Sequence, residues 1–238
     1  TESKLDDFEF IIHDRKDRSI TFKTGNWYLN KQLIIPANYK VYAGNGFNIN
    51  LLENGLIFSK SPITFIGNYI QPIKITGEGN KNGLVVVNAN KQSTLENVIF
   101  ENLSTPQSNS WSTSGSVSFY QSPVKISNCK FINNNSEDSL NIVRSDFSIK
   151  DSHFINAKSD AIDIDFSNGE IYNTKISHTG NDGLDISGSK IFANKLIIKN
   201  IGDKAISVGE SSNLKAKDVF ISKSSIGIAS KDKSILKG

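Results

Sequence analysis

From Val117 onward the sequence repeats itself about every 22 residues, a unit too short to bury an apolar face except against its own neighbours. Val117, Leu140, Ile162, Leu184 and Ile206 form one apolar column, with steps of 23, 22, 22 and 22. Phe119, Ile142, Ile164, Ile186 and Val208 form a second column two places later. Phe131, Phe154, Ile176, Ile198 and Phe220 form a third, twelve places after the second. An offset of two is the strand period, at which side chains return to the same face. The spacing therefore predicts an all-β, single-stranded parallel β-solenoid (parallel β-helix) with three inward columns. Helical repeats are usually longer, and Ser, Asn, Gly and Asp break these coils every six or so residues, as in Ser167-Asn168-Gly169. A leucine-rich repeat would suit the length, but its Leu-x-x-Leu-x-Leu signature is absent.

The first hundred residues have the same texture with looser spacing. Ser19–Phe22, Gln32–Ile35, Tyr39–Tyr42, Phe47–Asn50, Leu56–Phe58, Ile63–Ile66, Ile73–Ile75 and Leu84–Val87 read as short strands between Gly, Asn and Pro turns. Residues 1–19 are expected to be a cap or lead-in, with Leu5–Ile12 a strand or short helix and His13–Arg18 a solvated turn. Residues 20–238 are expected to be the solenoid. Phe100 and Phe131 occupy equivalent places yet lie 31 apart, so about nine extra residues fall in a loop at 103–114 that carries Trp111. The absence of methionine and a final segment that begins another coil rather than a cap predict continuation of the parent chain beyond residue 238. Ser122, Ser145, Ser167, Ser189 and Ser211 form a ladder at a turn. Five equivalent serines point to hydroxyls bonding turn backbone rather than to a nucleophile. The lone Cys129, equivalent to Ser152 and Thr174, reads as a small buried thiol.

Composition excludes several classes. A net charge of +3, carried by scattered lysines, does not favour nucleic acid. No run approaches the ~18 apolar residues of a membrane span, and no signal peptide is visible at Thr1.

The chemistry lies beside the first column. Two places before it come Asp138, Asp160, Asp182 and Lys204; one place after it come Asn141, Asp163, Asp185 and Ser207. Glu137 and Asp165 flank the same strip, and Asp203 precedes Lys204. Asp163 and Asp185 are expected to point outward, with coils ~4.8 Å apart. Seven carboxyls then share one patch: Glu137, Asp138, Asp160, Asp163, Asp165, Asp182 and Asp185. Two like charges at that separation repel by about 0.9 kcal/mol in water and about 3.5 kcal/mol at an effective dielectric of 20. A bound cation, proton uptake, or basic neighbours such as Arg144 and Lys204 would relieve the repulsion. For the first, Asp138, Asp160, Asp163, Asp182 and Asp185 offer hard oxygens suited to calcium. For catalysis on a sugar polymer, Asp163 with Asp185 or Asp182 could supply the two carboxyls of a glycosidase. Trp111, Asn141, Ser207 and His178 are the candidate substrate-binding residues.

This pattern resembles the right-handed parallel β-helix proteins, the architecture of pectate lyases, polygalacturonases, alginate epimerases and phage tailspikes. The runs Glu137–Ser145, Asp160–Phe166, Asn181–Ser189 and Gly202–Ser207 are similar to bacterial β-helix domains that accompany spore-coat CotH-type kinase-like modules. The resemblance implies a right-handed coil and a bacterial, extracytoplasmic or cell-surface setting, and it assigns no activity. The polygalacturonase Gly-His-Gly and Arg-x-Lys and the epimerase Asp-Pro-His-Asp are absent. Arg144 or Lys204 could stand where pectate lyases place a proton-abstracting base. The expectation is a rigid module that binds a polysaccharide or cell-surface component through its acidic face, with calcium as a candidate bridge; the rival is a polysaccharide-active hydrolase, lyase or epimerase.

Overall fold

The computed structural model describes residues 4–108 and 110–238. The first three residues of the expected lead-in, and residue 109 of the 103–114 loop, lie outside the described residues. The chain forms a parallel β-solenoid, each coil of which contributes one strand to each of three stacks. Leu33, Ile57, Leu84, Val117, Leu140, Ile162, Leu184, Ile206 and Ile228 lie in register through nine successive strands. The column seen from Val117 onward thus extends back to Gln32–Ile35, and its strands make the first stack. A second stack begins at Ser19–Phe22 and Lys40–Ala43, and a third begins at Gly25–Leu29 and Phe47–Leu52. Among the described residues no helix is long and apolar enough to cross a membrane.

Alternation sets the core. Inward Leu140 and Ile142 are fully buried, and so are Ile162 and Ile164 in the next coil. Aromatic rings stack along the axis in the third column: Phe100 and Phe131 centroids are 5.0 Å apart, and Phe131 and Phe154 are 4.4 Å apart at 6°. In-register stacking forces such like-on-like contact, because the residue above each side chain is its own equivalent.

Corners are turned by single residues in the left-handed region. Asn97, Asn128, Asp151 and Asn173 occupy one corner at φ between 45° and 52°; Asn102, Asn133, Asn156, His178 and Asn200 occupy another at 56° to 59°. Asn and Asp tolerate this conformation best among residues with a Cβ. The ladder survives the turn, since the Asn128 amide donates to the Lys150 carbonyl and the Asp151 amide to that of Tyr172, each at 3.1 Å. Serines brace the third corner. The amide of Ser145 donates to the Ser167 hydroxyl at 3.0 Å, and that hydroxyl donates to the Asp165 carbonyl at 2.8 Å. Cys129 fills an equivalent place in a parallel ladder: its amide donates to the Ser152 hydroxyl, and burial pushes its thiol up to about 12.

Two column assignments change at the last full coil. Ile198 pairs with Ile221, and Phe220, expected in the third column, pairs outward with Ile197 and is 54% exposed. Likewise the amide of Ser189 donates to the hydroxyl of Ser212 rather than of Ser211. Both corrections have one cause. The coil steps by 23 from Lys190↔Asn213 to Ile201↔Ser224 and returns to 22 at Lys204↔Ile226, so one extra residue is absorbed at the corner beside Glu210 and Ser211.

The amino-terminal end is closed. Leu5–Asp7 is a 3-10 turn, and Ile11–Asp14 pairs antiparallel with Ser19–Phe22, placing Phe8 and Phe10 over the first coil. His13 belongs to that strand, not to a solvated turn, and contacts Asp6 and Tyr39. The 103–114 loop carries an antiparallel pairing of Gln107–Ser108 with Trp111–Ser112.

The register is testable by substitution. Phe154→Ala is expected to cost about 3–5 kcal/mol and so lower Tm by roughly 10 °C, whereas Phe220→Ala should leave Tm nearly unchanged. Differential scanning calorimetry of the two variants distinguishes a buried from an outward ring; equal losses would contradict the register.

Candidate functional site

The outward face of the first stack carries the row Phe58, Val85, Ser118, Asn141, Asp163, Asp185 and Ser207, each the register partner of the next. Two positions on in each strand, Tyr120, Val143, Asp165 and Ser187 form a parallel row. Asn141 bridges both: its amide nitrogen donates to Asp163 Oδ2 at 2.9 Å and to Asp165 Oδ2 at 3.3 Å. Asp163 is itself hydrogen-bonded to Asp165. Two carboxyls this close favour proton uptake, and burial raises the pKa of both. Burial, then the charges of Asp138, Asp165, Asp185 and Asp160, push Asp163 up to about 9. Burial also pushes Asp138 up to about 7 against the Ser114 hydrogen bond, and holds Asp165 above its ordinary range. One Asp138 carboxyl oxygen, Oδ2, is buried without a partner among the described residues. Ser207 Oγ, the next step along the row beyond Asp185, is likewise buried and unpartnered. The Asp185 carboxylate accepts the Ile186 amide at 2.9 Å.

Asp160 and Asp182 have a different occupation. Asp160 Oδ1 accepts the Asp182 amide at 2.8 Å and the Asn181 side chain at 2.7 Å; Asp182 Oδ1 accepts the Lys204 amide at 3.0 Å. They are corner braces one coil apart, running like the serine ladder on another edge. Lys204 closes the series with ion pairs to Asp182 at 3.4 Å and to Asp203, and Asp203 raises its pKa. Its ammonium is thereby committed to the corner. Among the described residues no group of three or more His, Cys, Asp and Glu side chains is arranged to hold a metal ion.

The remaining expected residues separate. Arg144 stands at a corner with φ 48° beside the strip, its Nη1 donating to the Tyr120 hydroxyl at 2.9 Å and its guanidinium 5.3 Å from the Phe166 ring centroid. Trp111 packs on Phe58, ring centroids 5.1 Å apart. That contact lies three coils before Asn141 in the same row, about 14 Å away at the strand spacing, so the tryptophan covers the row's amino-terminal part instead of bordering the acids. The hairpin in the loop folds back toward the earlier coils. His178 is a corner residue bonded to Asn200 at 3.0 Å, and belongs to the asparagine ladder.

Sequence periodicity missed Phe166 and Tyr120. Phe166 is 51% exposed and Tyr120 38%, with Arg144 against both, so an aromatic shelf flanks Asp165. Gly188 makes room for it: at φ +61° a Cβ there would lie 2.5 Å from the Phe166 ring. No protein-family model matches this sequence, and no curated protein matches it.

The raised carboxyls fix the sign of a pH effect. A folded pKa above the unfolded value means that the native state holds more protons, so stability is complete below about pH 4 and is lost as pH rises through the folded pKa. With Asp138 at about 7 and Asp163 at about 9, Tm should fall between pH 5 and pH 9. Asp163→Asn keeps the shape and removes the ionisation. It should flatten the upper half of the profile and raise Tm at pH 8 by about 4–8 °C, the equivalent of roughly 2 kcal/mol. A calorimetric profile unchanged by the substitution would contradict the buried-proton assignment.

Proposed function

We propose that this chain is a rigid extracytoplasmic solenoid module that binds a polysaccharide along the row at Asp163 and Asp185, which the buried Asn141 and Ser207 flank in register. The carrying observation is the Asn141–Asp163–Asp165 cluster beside the Phe166–Arg144–Tyr120 shelf. Sugars need closely spaced donors and acceptors for hydroxyls and an apolar face for the ring. The row provides the first at one-coil intervals and the exposed Phe166 ring the second. A protonated Asp163 adds a donor among acceptors. The strip is consequently less anionic at neutral pH than its carboxyl count implies, which favours an uncharged glycan. The likeness to right-handed, pectate-lyase-like β-helices and to bacterial domains found with CotH-type modules agrees with placement outside the cytoplasm.

One observation favours a catalytic variant of this reading. Asp163, its pKa raised by burial, beside the Asp185 carboxyl on the adjacent coil gives the two carboxyls that general acid and base chemistry on a glycosidic bond requires.

Immobilised-glycan screening followed by calorimetric titration tests both. Phe166→Ala and Asn141→Ala should each weaken binding of a captured neutral glycan about tenfold or more without lowering Tm by more than a few degrees. Release of reducing ends, lost in both Asp163→Asn and Asp185→Asn, would establish the enzyme instead. A calcium-induced rise in Tm that Asp163→Asn removes would mean that a cation bridges the row. Absence of glycan capture across a broad neutral panel would sink the binding proposal.

A further inference from the structure

On the outward face of the third stack, Lys130, His153 and Lys175 are register partners in three successive coils, directly above the inward Phe131, Phe154 and Ile176. Parallel neighbours lie ~4.8 Å apart, so the three side chains form one short basic column. Among the described residues none of the three has a hydrogen bond or ion pair through its side chain, in contrast to Lys150 and Lys204, which are paired with Glu170 and Asp182. The two lysines flank His153 two coil spacings apart, and the column contains no carboxylate.

Lys130 and His153 of this column line a cleft of about 190 Å³ together with Asn68, Tyr69, Asn128 and Asp151 among others, and Lys175 stands one coil beyond His153. Tyr69 is 94% exposed, yet the loop beneath it is braced. The Asn68 side-chain oxygen accepts the amides of Ile70 at 3.0 Å and Gln71 at 2.7 Å, and the Asn97 amide nitrogen donates to the Gly67 carbonyl at 3.2 Å. Asp151, the acidic group lining the cleft, already accepts the Asn173 side chain at 2.5 Å. A ring held out from a braced loop at the mouth of a cleft, with unpaired cations at its side, is a two-part recognition surface.

We propose that this cleft binds a sulfate or phosphate monoester carried on a sugar ring, the ester oxygens meeting Lys130 and His153 in the cleft, with the Lys175 ammonium reaching them from the next coil, and the ring meeting Tyr69. A monoester presents three terminal oxygens, enough to engage donors from three coils, where a carboxylate presents two. Tyr69 supplies the apolar face and hydroxyl that sugar stacking uses. The site is on a different face from the Asp163 row and does not depend on it.

His153 reports occupancy. Burial, then Lys175 and Lys130, hold its pKa below the ordinary histidine range, and the other charged group lining the cleft is Asp151. A bound ester anion opposes the lysine effect, the phosphate more strongly than the singly charged sulfate. The imidazole pKa should therefore rise on binding, and affinity should grow as pH falls through the histidine range.

The experiment follows the His153 imidazole protons by NMR while glucose 6-sulfate, glucose 6-phosphate, inorganic phosphate or glucose is added to the chain. The two esters should raise the His153 pKa by about one unit and bind at least tenfold tighter than inorganic phosphate or glucose. Lys130→Ala and Lys175→Ala should each weaken ester binding about tenfold, and Tyr69→Ala should erase the advantage over inorganic phosphate, all with Tm unchanged. Equal binding of ester and inorganic phosphate, no movement of His153, or tighter binding of single-stranded DNA of matched charge would each overturn the proposal.

Discussion

Everything in this molecule depends on coils lying over one another in register about one strand spacing apart. That constraint turns a position in the repeat into a column in space, and a column has to be tolerable to itself. Apolar columns satisfy the condition readily, and the Phe100–Phe131–Phe154 rings do so by stacking face on face. Polar columns satisfy it when each residue both gives and takes, as the corner serines do by accepting an amide from the preceding coil and donating to a carbonyl of their own. Amino-acid choice at every place in the repeat is thus a choice about self-compatibility.

Carboxylates cannot satisfy it unaided, and the structure relieves the Asp columns in two separate ways. Along the corner, Asp160 and Asp182 are answered by backbone amides of the next coil, and Lys204 terminates the series. Along the outward row, among the described residues, no amide of the next coil answers Asp163; burial and its acidic neighbours raise its pKa, and Asn141 stands in place of a further acid. Residues of one type and three positions apart therefore have distinct chemistry. Those at the corner are structural, and those on the open face retain unspent hydrogen-bonding capacity.

How much of this could be read from the sequence follows from what periodicity measures. The Val117 and Phe119 columns were legible because the step is nearly constant and the residue types are alike. The shift to Ile221 and Ser212 was not, since each has a neighbour, Phe220 or Ser211, that is chemically acceptable in the same place. The strand Gly25–Leu29 was hidden by its Gly and Asn opening. The clustering of Asp163 and Asp185 was foreseeable from spacing, but the bracing role of Asp160 and Asp182 was not, because it depends on where corner amides point. Phe166 escaped notice because its equivalents, Gln121, Arg144, Gly188 and Glu210, share only a backbone conformation.

Those corners also explain where the chain tolerates change in length. A one-residue slip within a strand would exchange its inner and outer faces, yet the extra residue near Glu210 and the whole Trp111 hairpin leave the columns on either side undisturbed. The solenoid can therefore be lengthened at its vertices in increments from one residue to a hairpin. New appendages can grow at the rim of a coil while the packed interior stays the same.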